Sequence, residues 1–285
     1  PLWCFYSIPT VGKKSKEKAR LKFAFAAVFS YDADSDSLRF REENARCPCE
    51  RPMEFDILIP GSFVRRDNRF RVQVKVGGRP IAAHLPNSGR LGELLVPGRT
   101  VWLTSIDLAR KPHRRTAHDV TLFEYAGQLV SVDARLPNKL VAEALHAKRL
   151  AGFQDYAVVE QEVSLGDSRI DLRLDGGSGI PRCWIEVKSV TLVEGGIARF
   201  PDAPTQRGQR HVRELMGAVA QGERAAVIFV LQREDARCFS PHDQADPDFG
   251  QVLREGATNG VEVNAWRCQV SLKAIRLEEP LPVLL

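Results

Sequence analysis

No apolar stretch of this 285-residue chain is long enough to cross a bilayer, so no membrane-spanning helix and no membrane partner are expected. Cysteine is scarce and scattered. Cys4, Cys47, Cys49, Cys183, Cys238 and Cys268 show no secreted-scaffold spacing. Cys47-Pro48-Cys49 lacks the second ligand pair of a structural zinc site. The expected compartment is the cytoplasm. There are no internal repeats, and no clustered aromatics of the kind that hold a sugar. The net charge of +5 is too small to identify a nucleic-acid partner by itself. Nothing in the sequence sets an oligomeric state.

What is present is uneven. Hydrophobic residues make up 44% and charged residues 27%, which describes a globular chain able to bury two domain cores. Residues 1–52 hold 10 Lys/Arg against 7 Asp/Glu, residues 53–135 hold 13 against 8, and residues 136–285 hold 18 against 21. The middle segment is the basic one. Residues 1–52 are expected to be a poorly ordered or mistranslated extension, since the first methionine is Met53. The alternative is a basic arm touching nucleic acid. Lys13–Lys22 followed by Phe23–Phe29 imitates a signal peptide, but the apolar run is short and no cleavage site follows.

Residues 53–135 read as short strands: Ser62–Arg66, Phe70–Val76, Arg79–Leu85 after the Gly77-Gly78 turn, Thr100–Ser105, Val120–Glu124 and Gln128–Val132. That density of strands predicts a small barrel. Residues 136–285 are mixed. A helix capped by Asn138 runs to about Leu150. Strands follow at Tyr156–Ser164, Arg169–Leu174 and Cys183–Val190. A helix at Gln206–Gln221, a buried strand at Ala225–Leu231, a helix at Asp248–Asn259 and a strand at Val261–Arg267 complete the order αβββαβαβ.

The most informative stretch is Ile185-Glu186-Val187-Lys188. Alternation along a strand sends Ile185 and Val187 to the core and puts Glu186 and Lys188 on one side. A carboxylate and an ammonium on a largely buried strand cost desolvation. One reading is a solvated ion pair at a strand end. The other is a metal site, in which Asp171 and Glu186 supply hard oxygen ligands to Mg²⁺ and Lys188 assists a water in phosphodiester hydrolysis.

Other residues suit an anionic polymer. Arg207, His211 and Glu214 share one helix face, where Arg207 and His211 could clamp phosphate or form an ordinary polar face. Arg65, Arg66, Arg69 and Arg71 cluster on the first hairpin with Phe63 and Phe70 interleaved. Both phenylalanines are expected inward, as core, which leaves the arginines as sequence-blind phosphate contacts. Asn87-Ser88-Gly89-Arg90 reads either as a ligand loop or as a turn with Asn87 bonding its own backbone. Lys111, His113, Arg114, Arg115 and His118 are expected in a surface loop that adds electrostatic attraction.

From Met53 to Leu285 the chain resembles the bacterial sugar fermentation stimulation protein A family. Leu85-Pro86-Asn87-Ser88-Gly89, Ser168-Arg169-Ile170-Asp171, Ile185-Glu186-Val187-Lys188, Phe200-Pro201-Asp202-Ala203, Thr205 through Leu215 and Ala226-Val227-Ile228-Phe229 carry the resemblance. It implies an α+β or α/β two-domain protein: an OB-like β-barrel at 53–135 and a PD-(D/E)xK restriction-endonuclease-like αβββαβ domain at 136–285. It also implies DNA as partner, largely without sequence preference, and a regulatory link to maltose or other sugar metabolism. The nuclease motif falls on Asp171, Glu186 and Lys188, with Glu143 on the first helix as a further acid. Ile170 stands where the nominal motif has proline. DNA binding is the leading expectation, with an Mg²⁺-dependent nuclease as the alternative.

Overall fold

The computed structural model describes residues 52–285, together with the backbone of an antiparallel pair, β1 (Phe29–Asp32) and β2 (Ser37–Phe40). The extension reading of residues 1–52 therefore lies almost wholly outside the described residues, as do Cys4, Cys47 and Cys49.

β3 (Met53–Glu54) comes first in the described body and is followed by β4 (Leu58–Asn68), β5 (Arg71–Val76), β6 (Arg79–His84), β7 (Thr100–Ser105), β8 (His118–Tyr125) and β9 (Gln128–Ser131). β4 to β9 form one sheet in the order β6-β5-β4-β7-β8-β9, and a β6–β8 bridge between His84 and Asp119 closes five of the strands into a barrel. Gly77 and Gly78 both have positive φ (54° and 80°), which a two-residue β-hairpin turn requires. Phe63, Val72, Val74, Val101, Leu103, Val120 and Phe123 fill the barrel.

The rest runs α1 (Leu136–His146), β10 (Val158–Leu165), β11 (Ser168–Asp175), β12 (Cys183–Val190), β13 (Leu192–Glu194), β14 (Ile197–Phe200), α2 (Gln206–Ala220), β15 (Arg224–Leu231), β16 (Cys238–Pro241), α3 (Pro247–Thr258), β17 (Glu262–Val270) and β18 (Ala274–Leu281). A seven-stranded mixed sheet, β10-β11-β12-β15-β17-β18-β3, has parallel β12-β15-β17 at its centre. β15 is buried along almost its whole length because both faces are covered. Ile228 and Val230 pack with α1 (Leu140, Val141, Leu145), and Val227, Phe229 and Leu231 pack with α2 and α3 (Val212, Leu215, Phe249, Leu253). β13, β14 and β16 make a separate small sheet.

Two expectations need correction. Asn138 does not cap the first helix. That helix begins at Leu136, with Pro137 in its first turn, where a fixed φ and a missing N–H cost nothing. Met53 and Glu54 do not belong to the barrel, because β3 pairs with β18 at the edge of the large sheet. The two segments also share a core: Leu122 of β8, with Leu58, Trp102 and Leu129, packs into the cluster of Leu140, Ile185, Ile228 and Val230.

Polar bonds reinforce that junction. Ser131 N donates to the Gln232 carbonyl (2.9 Å), Ser131 Oγ donates to Gln232 Oε1 (2.9 Å), and Gln232 Nε2 donates to Ser189 Oγ (2.8 Å). Next to it the Arg233 guanidinium is fully buried. It is paired with Asp235 (2.6 Å), donates to the Thr191 carbonyl (2.9 Å) and lies 5.2 Å from the Tyr125 ring centre of β8.

Candidate functional site

Asp171 sits where β11 leaves β12. The register between them ends at Leu172 opposite Ile185. One residue on, the Asp171 carboxylate takes the place of the neighbouring strand: Oδ2 accepts from Val187 N (2.7 Å) and Oδ1 accepts from Asn138 Nδ2 of α1 (2.6 Å). The splayed strands thus open a notch beside Glu186. Ile185 and Val187 point to the α1 face as alternation predicts, and Glu186 turns to the α2 face.

Glu186 is buried, with 3% of its surface exposed. Lys188 Nζ lies 2.5 Å from Glu186 Oε1, and His211 Nδ1 bonds the same oxygen. Arg207 Nε donates to His211 Nε2 (3.3 Å), which leaves the ring proton on Nδ1 facing Glu186. Oε2 of Glu186 is buried with no hydrogen-bond partner among the described residues. An unpartnered buried carboxylate oxygen is costly unless a cation or a donor satisfies it.

The two carboxyls are tuned apart. Burial, then the nearby Glu186 charge, pushes Asp171 up to about 6. Burial also pushes Glu186 upward, but the Lys188 ammonium and the His211 hydrogen bond outweigh it and hold Glu186 below the ordinary carboxylate range. This has a consequence for stability. A carboxyl held above its unfolded value binds its proton more tightly in the folded state. The destabilisation is therefore absent below about pH 4, grows as the pH rises toward 6 and is constant above it. Asp171→Asn should unfold in urea with roughly 2–3 kcal/mol more stability than the wild type at pH 8 in EDTA, with the gain shrinking toward pH 4. Parallel pH dependence of the two proteins between pH 4 and 8 would refute this.

Glu143 is not part of this arrangement. It pairs with Arg149 (3.4 Å), and it stands about 140° round the helix from Asn138. Asn138, read from sequence as a cap, is the α1 residue that reaches the site. Its signal was an amide in the first turn, just ahead of the apolar stripe Leu140, Val141, Ala144 and Leu145.

A cavity of about 380 Å³ lies beside the pair, between the barrel and the large sheet. Arg69, Ser88 and Gly89 line one wall, and Lys188, Arg199 and Thr205 line the other. Thr205 caps α2 by accepting from Gly208 N (3.1 Å). Asp202 joins the walls: its Oδ2 accepts from Leu91 N (3.2 Å), and a Cβ on Gly89 would stand 2.6 Å from it.

Several sequence-nominated contacts are committed elsewhere. His211 is 1% exposed and holds Glu186, so it is not a phosphate clamp. Asn87 is buried, accepts from Gly89 N (2.8 Å) and donates to the Val132 carbonyl (3.0 Å), which is the turn reading. Arg66 spends its guanidinium on the carbonyls of Gly89 (2.7 Å), Arg69 (2.6 Å) and Asn87 (3.1 Å), bracing that loop. Arg65 and Arg71 remain exposed but share Asp67 (3.0 and 3.5 Å). Arg69, Ser88 and Arg90 line an adjoining cleft, and Arg207 is exposed at the start of α2. His118 lies in β8 rather than in the loop, and Phe63 is core as expected.

A barrel fused to a sheet that splays at an acid–acid–lysine notch defines a two-domain protein with an OB-like and a restriction-endonuclease-like half. Comparison with known proteins agrees. A profile described as the SfsA N-terminal OB domain matches residues 64–132, and the sugar fermentation stimulation protein RE domain matches residues 135–274. The sugar fermentation stimulation protein homologue of Desulforamulus reducens is 46% identical over 80% of this chain and 93% of its own length. The Moorella thermoacetica homologue is 46% identical over 80% and 97%. The structure of Pyrococcus furiosus SfsA in complex with Ca²⁺ superposes with a TM-score of 0.75 at 30% identity, covering 82% of this chain and 99% of that one. The chain belongs to the sugar fermentation stimulation protein family. Among the described residues no helix is long and apolar enough to cross a membrane.

Proposed function

We propose that this protein binds DNA, largely without sequence preference, through the cleft between barrel and sheet. The observation that carries the reading is the convergence of Arg69, Lys188 and Arg199 on one cavity, with Lys188 bonded from its wall to the buried Glu186. Guanidinium and ammonium groups at a cleft mouth contact phosphates and read no bases. Replacing both Arg69 and Arg90 by alanine should weaken binding to any DNA sequence about equally and lower the salt slope by about 1 for each phosphate no longer neutralised. Fluorescence anisotropy between low and moderate salt measures this. A weakening confined to one sequence would contradict it.

A second reading, metal-dependent phosphodiester hydrolysis, is favoured by the unpartnered Glu186 Oε2. No cluster of three or more His, Cys, Asp or Glu side chains that could cage a metal occurs among the described residues. Two carboxylates nevertheless suit Mg²⁺, which keeps several waters and takes further oxygens from substrate phosphate. The P. furiosus relative was solved with Ca²⁺, another oxygen-seeking cation. Asp171 and Glu186 would hold the ion, which would supply Lewis acidity at the phosphate. Lys188 and His211 keep Glu186 ionised, Asn138 and Val187 N orient Asp171, and Arg207 stands exposed where it can meet phosphate charge. Incubating labelled single- and double-stranded DNA and RNA with Mg²⁺, Mn²⁺ or EDTA tests the reading. Salt-sensitive binding without cleavage in either metal leaves DNA binding alone.

A further inference from the structure

Phe70 has the one exposed ring among the described Phe, Tyr and Trp side chains, with 47% of its surface in water. Alternation along β5 would have placed it inward with Val72 and Val74. The structure puts residues 69–70 in the turn before β5, so the parity that governs the strand does not reach it. Its placement is nonetheless firm. Phe70 N donates to Asn68 Oδ1 (3.0 Å), and Leu85 N donates to the Phe70 carbonyl (3.0 Å). The ring stacks on His84, with centroids 6.2 Å apart and planes at 29°.

A cleft of about 250 Å³ opens beside this stack, walled by Arg71 on one side and by His113, Arg114 and Arg115 of the loop after β7 on the other. Among the described residues no carboxylate lines it. Asp119 lies behind, bonded to His84 (3.3 Å), Arg114 and Arg135 (3.0 Å), and Asp67 pairs with Arg71 from outside. A half-exposed aromatic face inside a cationic ring forgoes burial, and it offers both surfaces that a nucleotide presents a match for: a π-face for the base and positive charge for the phosphate.

We propose that this cleft is a stacking subsite for an unpaired base of single-stranded nucleic acid, with Phe70 as the platform and Arg71 and Arg115 meeting the flanking phosphates. The inference rests on the nucleic-acid reading and adds strandedness to it, since the faces of paired bases are covered by their neighbours in a duplex. Anisotropy of labelled oligothymidylate, oligouridylate, an abasic strand and a duplex tests it, with wild type, Phe70→Ala and Phe70→Trp. Phe70→Ala is expected to weaken binding of the base-bearing strands roughly 5- to 150-fold, to leave the abasic strand and the duplex within about twofold, and to keep the salt slope unchanged. Phe70→Trp should bind like the wild type, with its emission quenched on stacking. A loss on only one of the two base-bearing strands still supports the subsite and identifies DNA or RNA as its preferred source. Wild-type binding that Phe70→Ala leaves untouched, or weakens equally on the abasic strand, overturns the subsite and leaves the general reading standing. A wild type that binds none of the four overturns both.

Discussion

On the hydrolytic reading proposed above, Lys188→Ala is expected to cut metal-dependent cleavage by orders of magnitude while leaving the fold intact. The Lys188 side chain is only 11% exposed, lies 2.5 Å from Glu186 and lines the cavity, so it touches Glu186 and can reach a phosphate placed there. Removing a positioned proton-transfer or charge-stabilising group costs about 10²- to 10⁴-fold in rate. The expected result with Mg²⁺ is therefore a loss of that order, with binding in EDTA weakened by no more than a single phosphate interaction is worth. Loss of Lys188 also removes one of the two groups that hold Glu186 ionised. Residual cleavage should accordingly shift its pH optimum upward, since a more basic Glu186 needs a higher pH to ionise. Cleavage by Lys188→Ala at the wild-type rate and pH profile would remove the lysine from the chemistry.

Asp235→Ala is the substitution with the largest expected effect on stability. Arg233 is fully buried, and Asp235 holds it through two bonds of 2.6 Å each. Glu93 stands 3.9 Å away and is itself raised by burial, so it is a poor substitute partner. The truncation leaves a buried guanidinium with the Thr191 carbonyl as its remaining close acceptor. Breaking a buried pair from one side costs roughly 3–5 kcal/mol, and with Asp235 itself 31% exposed the expected cost is about 3 kcal/mol. Urea unfolding should show the unfolding free energy falling by that amount, through a lower midpoint with the slope retained. A loss below about 1 kcal/mol would mean that water reaches Arg233 and shares its charge.

How far the sequence could be read depends on the kind of contact. Strands with a clean alternation or a continuous apolar run were legible: β5, β7, β12 and β15 lie within a residue or so of where the pattern put them. The pairing of Glu186 with Lys188 follows from period two alone. What was not legible is what happens where elements meet. Asn138 looked like a cap, because a polar residue before an apolar helical run has that meaning locally. Its actual partner is 33 residues away. His211 looked like a surface ligand on a helix face, but that face lies against β12. Arg66 and Arg69 are indistinguishable as sequence. Only the path of the Asn87–Arg90 loop makes one a brace and leaves the other at the cavity. β13, β14 and β16 are too short for periodicity to register. The alternation of Ile275 and Leu277 with Arg276 and Glu278 was the available signal for β18.

Gln232 and its neighbours bear on thermodynamics as well as architecture. With Ser131 on one side, Ser189 on the other and Leu122 seated in the larger core, the barrel is expected to melt together with the large sheet rather than on its own. Whatever settles between the two walls binds a surface that exists only when both halves are folded. Its binding free energy is then added to the whole molecule at once, and none of it is spent on drawing the halves together.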